Sequence, residues 1–375
     1  MSAAARLEQV RAELKSLLVE RDTVVDGVLI ALISRQHVLL LGPPGTAKSM
    51  LAKELVKRLF GAKLFEWLLT KFSTPEELFG PPSLAALEAG RYERVTEGKL
   101  PEAQVAFLDE IFKASSAILN ALLSVLAERT FHQGSRAEKI PLETLIGASN
   151  ELPEEDELAA LFDRFLLRFT VGYVERDTEL SRLLTAAPPT QTPSAVLGLD
   201  DLELLRERAD DVEVPEGIIE DLVELRRNLL AEGIVASDRR WRQSLGALRA
   251  AAVLAGKGAV TAVELSWLEH VLWTDPEEQS KVRAALSKLS GGGEEEAKKL
   301  LQQAQEIHAY AQRVWPDEAS RARALIEAHA KLDELKRRAS KLASDARRRS
   351  RDPARLDAVS AEILALQAGL LGTVN

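Results

Sequence analysis

The sequence predicts an α/β fold, with a parallel sheet in its first half and helices through the rest. Three observations carry that expectation. The apolar run Val38-Leu39-Leu40-Leu41 passes directly into Gly42-Pro43-Pro44-Gly45-Thr46-Ala47-Lys48-Ser49 and then into a helical pattern from Met50. A second buried-strand run, Val105-Ala106-Phe107-Leu108, ends in Asp109-Glu110. From residue 199 onward, apolar residues recur at i, i+3 and i+4, the period of helices packed on a core.

A chain of 375 residues is long enough for two or three domains. It holds no cysteine, which excludes disulfides, thiol nucleophiles and thiolate metal sites and fits a reducing compartment. Its five histidines, His37, His132, His270, His308 and His329, show no metal-ligand spacing. No basic-then-apolar leader opens the chain, and no apolar run nears the roughly 20 residues that span a bilayer, so the expected location is the cytoplasm. A net charge of -9 argues against a general nucleic-acid coat.

Taken in order, Leu7, Val10, Leu14 and Leu17 mark an amphipathic helix, and residues 24–33 a more apolar one leading to the strand at 38–41. A strand, a tight glycine-bearing loop and a helix N-terminus make a cradle for a phosphate chain, because backbone N–H groups and the positive helix end converge there. The phosphate-contacting stretch is expected to be Gly42, Pro43, Pro44, Gly45, Thr46, Ala47, Lys48, Ser49 and Met50. Lys48 would reach the outer phosphates and Ser49 would offer its hydroxyl to Mg²⁺. Ala47 stands where a second glycine is usual; as the residue that opens the helix, alanine there should cost little.

Residues 62–69 read as a strand. In the passage 70–100, Ser73-Thr74-Pro75-Glu76-Glu77 starts a helix that Gly80-Pro81-Pro82 stops, and residues 83–96 look like a small hairpin, either an idle excursion or a projecting loop. After the strand at 105–108, Asp109 would hold Mg²⁺ and Glu110 would polarise an attacking water. A strand ending in Asp-Glu is a weak motif alone; its position about 60 residues after the phosphate loop makes the pair strong. A helix at 116–127, a hairpin at 130–140 and a strand at 142–148 follow. Asn150 ends that strand, placed either to orient a hydrolytic water or merely to cap a turn.

Residues 161–169, Leu-Phe-Asp-Arg-Phe-Leu-Leu-Arg-Phe, bring Arg164 and Arg168 to a helix end and into the next strand, where bidentate arginine could stabilise phosphoryl charge. A Thr/Ala/Pro-rich linker spans 185–198. In Ser237-Asp238-Arg239-Arg240-Trp241 two arginines open a helix, an unfavourable place for cations that calls for a compensating anion such as a nucleotide phosphate. Gly291-Gly292-Gly293 reads as a flexible joint. Beyond it, apolar heptads from Leu300 to Val314, from Leu325 to Leu342 and from Leu356 to Leu370 predict an antiparallel three-helix bundle. The basic run between Lys336 and Arg351 is either a solvated face or a seat for an acidic partner. The expected domains are therefore 1–184, α/β and nucleotide-binding; 185–198, linker; 199–290, an all-α lid; and 294–375, the bundle.

With these motifs in this order, the chain resembles AAA+ ATPases of the MoxR family. It looks most like the RavA-type subgroup, on Thr70-Lys71-Phe72-Ser73-Thr74-Pro75-Glu76-Glu77-Leu78-Phe79-Gly80-Pro81 and Gly90-Arg91-Tyr92-Glu93-Arg94. The resemblance covers roughly the first 290 residues. It implies a P-loop NTPase core with a five-stranded parallel sheet, ATP or ADP with Mg²⁺ as cofactors, and a hexameric ring with sites between subunits. It makes residues 83–96 and 130–140 inserts near the ring axis, Asn150 sensor 1, Arg164 the arginine finger and Arg239 sensor 2, with Arg168 and Arg240 as neighbouring alternatives. Relatives share the alanine at position 47. RavA-like proteins carry a β-rich insertion in the triple-helical domain that engages a lysine decarboxylase; the insertion is missing here, so that partner does not carry over.

The expected function is Mg²⁺-dependent ATP hydrolysis driving remodelling or activation of a protein client, with a von Willebrand factor A domain partner suggested by the resemblance alone. Two alternatives come from other classes. A nucleic-acid motor would draw on Arg91, Arg94, Lys99, Arg136 and Lys139, against the acidic charge. A nucleotide-gated adaptor would use ATP only for assembly and the bundle for recruitment.

Overall fold

The computed structural model describes residues 2–133, 136–153, 156–185, 193–348 and 353–371. The chain folds as two compact units: Met1–Glu213 with Ala236–Ala259 and Trp267–Gln279, and Val214–Val235 with Val260–Ser266 and Ser280–Asn375.

The first unit begins with α1 (Ala3–Leu17), whose Ser2 cap accepts a hydrogen bond from the Ala5 N–H. Leu7, Val10 and Leu14 are buried as the spacing predicts, and Leu18 takes the place expected of Leu17. α2 (Asp22–Ile33) is buried almost along its length and leads to β1 (His37–Leu41), which is buried at every residue. Then come α3 (Lys48–Lys57), β2 (Leu59–Phe60), β3 (Leu64–Leu68), α4 (Pro75–Phe79), α5 (Leu84–Glu88), β4 (Val105–Asp109) and α6 (Ser116–Glu128). After the β5 (Thr130–Gln133) and β6 (Arg136–Lys139) hairpin lie β7 (Thr144–Ser149), α7 (Asp156–Phe162), β8 (Phe165–Thr170), α8 (Asp177–Thr185), β9 (Leu197–Gly198) and α9 (Leu199–Asp210).

Five strands form one sheet in the order β3-β4-β7-β1-β8, all parallel. The continuous apolar runs at 38–41 and 105–108 have their cause here, since a parallel sheet covered on both faces leaves no polar side. Phe165 pairs with His37 and Thr170 with Leu41. The amino edge of the sheet thus holds the entry to β8, and the carboxyl edge the exit from β1.

Residues 83–96 correct the sequence reading. They form α5 and a single antiparallel bridge between Pro82 and Arg94 rather than a two-stranded hairpin. Ser83 caps a helix whose next residues include two alanines, so local helix propensity wins over the strand pattern. The passage is also tied down: the Arg94 N–H donates to Gln133 Oε1 at 2.6 Å, and Phe79 stacks on Phe131 at 5.4 Å.

Of the predicted all-helical stretch, α9 packs with α1 and α2 in the first unit, α10 (Glu216–Ala231) belongs to the second, and α11 (Asp238–Leu254) returns to the first. Residues 186–192 of the predicted linker lie outside the described residues; its last two residues form β9, paired in parallel with β2.

In the second unit, α12 (Gln279–Ala311), α13 (Glu318–Arg348) and α14 (Ala354–Leu371) share one core that includes Leu300, Ala304, Ala328, Leu332, Val359 and Ile363. Cross-helix pairs run in opposite senses. Arg338 meets Glu296, Ser340 meets Ser360, and Gln367 donates to the His329 carbonyl, so the bundle is antiparallel. Two expectations fail. α12 runs unbroken through Gly291-Gly292-Gly293, because strong helix formers on both sides carry a helix across glycines that cost about 1 kcal/mol each. Val314 is fully exposed, lying beyond the end of α12. Within the basic run, Lys336 and Arg337 pair with Asp333, Arg347 with Asp357 and Arg348 with Glu220, while Arg349 and Arg351 lie outside the described residues. Among the described residues no helix is long and apolar enough to cross a membrane.

Candidate functional site

β1 delivers Gly42 to the carboxyl edge of the sheet. A Cβ on this residue would lie 2.0 Å from the Val171 carbonyl oxygen, so only glycine lets the chain turn there. The Thr46 hydroxyl donates to the Pro43 carbonyl at 3.0 Å and closes the loop, with Pro44 and Gly45 exposed at its tip. Lys48 and Ser49 open α3, so the helix N-terminus faces the loop. Ala47 overturns one expectation. It does not sit in helical geometry but takes φ 66°, ψ 21°, the left-handed conformation that glycine supplies freely. The strain of about 1–2 kcal/mol that L-residues meet there is therefore present.

β4 brings Asp109 to the same edge, next but one to β1 across β7. Glu110 follows in a left-handed turn at φ 51°, with its N–H donating to Asp109 Oδ1 at 3.0 Å. This turn sends the Glu110 carboxylate back over the edge, where Asn150 Nδ2, at the end of β7, donates to Glu110 Oε1 at 2.8 Å. Asn150 Oδ1 in turn lies 3.5 Å from Lys48 Nζ, and Lys48 also donates to the carbonyls of Gly42 and Pro43. Burial holds the Lys48 ammonium below its ordinary pKa, opposed by the charges of Asp109 and Glu110. Lys113 Nζ stands 3.2 Å from the second Glu110 oxygen. Lys48, Asp109, Glu110 and Asn150 therefore converge on one edge, and Asn150 bridges the Lys48 ammonium and the Glu110 carboxylate rather than capping a turn.

Beside the loop opens a cavity of about 630 Å³, a volume suited to a nucleotide-sized ligand. Gly45, Thr46, Ala47 and Met50 form one wall. Leu17, Leu18, Val19 and Arg21 from the α1–α2 joint form another, and Tyr173, Leu180 and Leu183, at and before α8, a third. Of these lining residues, only those of the loop were foreseen. The joint and α8 carry no motif, and only the fold brings them to the loop.

The arginines sort differently. Arg168 is buried on β8, donating to the carbonyls of Phe162, Phe165 and Trp273 with its guanidinium 3.7 Å over the Phe162 ring. Arg240 is likewise buried, donating to the Leu166 and Val271 carbonyls at 3.0 and 2.7 Å, and burial lowers its pKa to about 10. Both are internal struts. Arg164 lies just before β8 at the amino edge, a strand length of roughly 16 Å from the phosphate loop of its own chain. Its Nε is buried without a hydrogen-bond partner among the described residues. Arg239 donates to the Asp163 carbonyl at 2.8 Å and to the Asp163 carboxylate, so it stands beside Arg164 and away from Lys48. Asp163 supplies an anion that offsets the two cations at the start of α11.

Mg²⁺ has a fitting donor set. Among the described residues no group of three His, Asp or Glu could hold a metal unaided. Mg²⁺ in phosphoryl transfer needs only one or two protein oxygens beside phosphate and water. The Ser49 hydroxyl and the Asp109 carboxylate supply that number.

A parallel sheet of this order, with the loop at the exit of β1 and an Asp-Glu pair at the exit of β4, defines an AAA+ P-loop fold. Residues 5–198 match the family described as the MoxR domain in the MoxR-vWA-beta-propeller ternary systems, and residues 217–286 match an AAA lid domain. The chain belongs to the MoxR family of AAA+ ATPases. It is 41% identical over 285 residues to an uncharacterised protein of Methanocaldococcus jannaschii, covering 76% of each. It is 31% identical over 223 residues to the chaperone MoxR1 of Mycobacterium tuberculosis, covering 58% of each. A crystal structure from Cytophaga hutchinsonii, described as a candidate ATPase, superposes with a TM-score of 0.62 at 19% identity, over 76% of this chain and 94% of that one.

Proposed function

We propose that the protein hydrolyses ATP with Mg²⁺ as a ring-forming, MoxR-type ATPase and uses the cycle to remodel or activate a protein client. The observation that supports this reading best is the hydrogen-bonded line from Lys48 through Asn150 to Glu110 beside the phosphate loop. In this reading Lys48 and the loop N–H groups bind the phosphates, and Ser49 and Asp109 hold Mg²⁺, which screens phosphate charge when bound. Glu110 takes the proton of the attacking water, and Asn150 orients both.

Arg164 suits a finger lent to the neighbouring subunit, since it cannot reach its own loop and its Nε has no hydrogen-bond partner among the described residues. Arg239 then serves as its companion in the same neighbouring site, a change from the sensor-2 role within its own chain. A hexamer would set the amino-edge pair, Arg164 and Arg239, of each subunit against the carboxyl-edge loop of the next. A von Willebrand factor A domain partner is supported by the name of the matching family. The RavA-type placement rests on residues 70–81 and 90–94. We retain 1–184, 185–198, 199–290 and 294–375 as functional divisions, and the cytoplasm as the setting that supplies ATP. For the nucleic-acid alternative, Arg91 pairs with Glu93, Arg94 with Glu76, and Lys99 donates to the Glu77 carbonyl, which occupies three of the five cations it requires.

The test is phosphate release from the whole chain with ATP and Mg²⁺. Lys48→Ala should abolish nucleotide binding and turnover. Glu110→Gln should bind ATP yet turn over at least about 100-fold more slowly. A wild-type rate no higher than that of either variant would reject the proposal.

A further inference from the structure

The α1–α2 joint, Glu20-Arg21, is absorbed by none of the chemistry above, yet it touches both halves of the candidate site. Glu20 has φ 55°, a left-handed conformation that a glycine would adopt without strain. Its carboxylate accounts for a side chain at such a position. Oε2 accepts the N–H of Glu175 at 2.9 Å, and Oε1 accepts the N–H and the Nε–H of Arg176, both at 3.0 Å. These bonds, the Glu175 N–H foremost, hold the Glu20 carboxyl below the usual carboxylate range. They fix the chain immediately before α8.

α8 needs such an anchor. None of its residues is buried, and Leu180 and Leu183, 42% and 48% exposed, line the cavity beside the phosphate loop. The Arg182 guanidinium adds a second tie to the joint region, donating to the Ser16 carbonyl at 2.7 Å. Arg21 works on the opposite side of the joint. It donates to the Gly172 carbonyl at 2.6 Å and to the Thr46 carbonyl, inside the phosphate loop, at 3.3 Å. One dipeptide thus sets where the apolar wall of the cavity stands and braces the loop that would hold phosphates.

We propose that Glu20 and Arg21 are positioning residues that hold the base-covering wall of α8 and the phosphate loop in register, so that the heterocyclic base and the phosphate chain of one nucleotide are gripped together. This rests on the nucleotide-binding reading above. The base is the occupant that fits: an aromatic, mostly apolar ring would cover Leu180, Leu183 and Tyr173 while its phosphates lie at Lys48. Glu20 acts on the base half alone, whereas Arg21 acts on both.

Because a glycine relieves the backbone at position 20, Glu20→Gly separates this role from simple folding. The experiment is calorimetric titration of the whole chain, with Mg²⁺, using ADP and inorganic tripolyphosphate as probes, alongside thermal unfolding. Wild type should bind both. Glu20→Gly should unfold at the same or a higher temperature, bind ADP roughly tenfold more weakly, and keep its tripolyphosphate affinity, the loss being that of a charge-assisted contact. Glu20→Gln, which keeps one acceptor oxygen and so can serve the Glu175 or the Arg176 N–H but not both, should recover only part of the ADP affinity. Arg21→Met should weaken both probes. Unchanged ADP affinity in Glu20→Gly, or an equal loss of both probes, overturns the proposal while leaving the ATPase reading intact. A wild-type chain that binds neither probe removes both.

Discussion

Two residues at the candidate site hold a conformation that their side chains resist. Ala47 and Glu110 both lie in the left-handed region, one at the start of α3 and the other at the end of β4. For Glu110 the turn aims the carboxylate at Asn150, whereas the Ala47 methyl carries no polar group that could offset the strain. Ala47→Gly should therefore raise unfolding stability by about 1 kcal/mol, read from urea midpoints, with phosphate binding retained. The arginines divide by the same test of what the side chain touches. Arg168 satisfies carbonyls at Phe162, Phe165 and Trp273, so Arg168→Met leaves buried acceptors unpaired and should cost about 3 kcal/mol in the same assay. Arg164, with no such duties, should be replaceable by alanine with less than about 0.5 kcal/mol lost.

At the scale of elements, β1 illustrates how a strand becomes pH-sensitive through its neighbours. His37 is fully enclosed between α6 and β7. Its Nδ1 accepts the Leu145 N–H at 3.0 Å, which leaves Nε2–H to donate to the Leu126 carbonyl at 3.0 Å. The Nδ1 contact requires the neutral ring, and burial, assisted by the nearby Arg129 charge, outweighs the Leu126 hydrogen bond and pushes the pKa down to about 3. The unfolded chain takes up that proton near pH 6.5 and the native one does not, so stability is constant above about 6.5 and falls as pH drops toward 3. The loss should reach about 2 kcal/mol at pH 5, measured by urea unfolding, and a His37→Gln chain should lack that component. α11 shows the complementary case. Its two leading arginines violate the dipole preference, and the violation is answered by Asp163 from the α7–β8 turn, which ties α11 to the amino edge of the sheet.

For the whole molecule, the decisive feature is that Lys48, Asp109 and Glu110 occupy one edge of the sheet while Arg164 and Arg239 occupy the other. On the proposed reading, in which Arg164 is lent to a neighbouring subunit, a complete site is shared between two chains. Glu110→Gln and Arg164→Ala proteins should each be nearly inactive alone, and mixing them should restore a measurable fraction of wild-type turnover, because some interfaces then join an intact Glu110 to an intact Arg164. No recovery on mixing, with assembly verified by light scattering, would place the arginine's role elsewhere. The sequence alone determined the parallel sheet, the phosphate loop, the Asp-Glu pair and the three C-terminal helices, because these depend on hydrophobic period and on residues adjacent along the chain. It misjudged Ala47, residues 83–96 and the glycines of α12, and it did not reveal the Asp163 partner of Arg239, the cavity wall of α8 or the Glu20-Arg21 brace. Those depend on backbone angles and on pairs such as Arg239 with Asp163, or Arg21 with Gly172, that are distant in sequence. Only tertiary packing decides which of several arginines is a strut and which is left free, since every guanidinium has the same chemistry until its neighbours are in place.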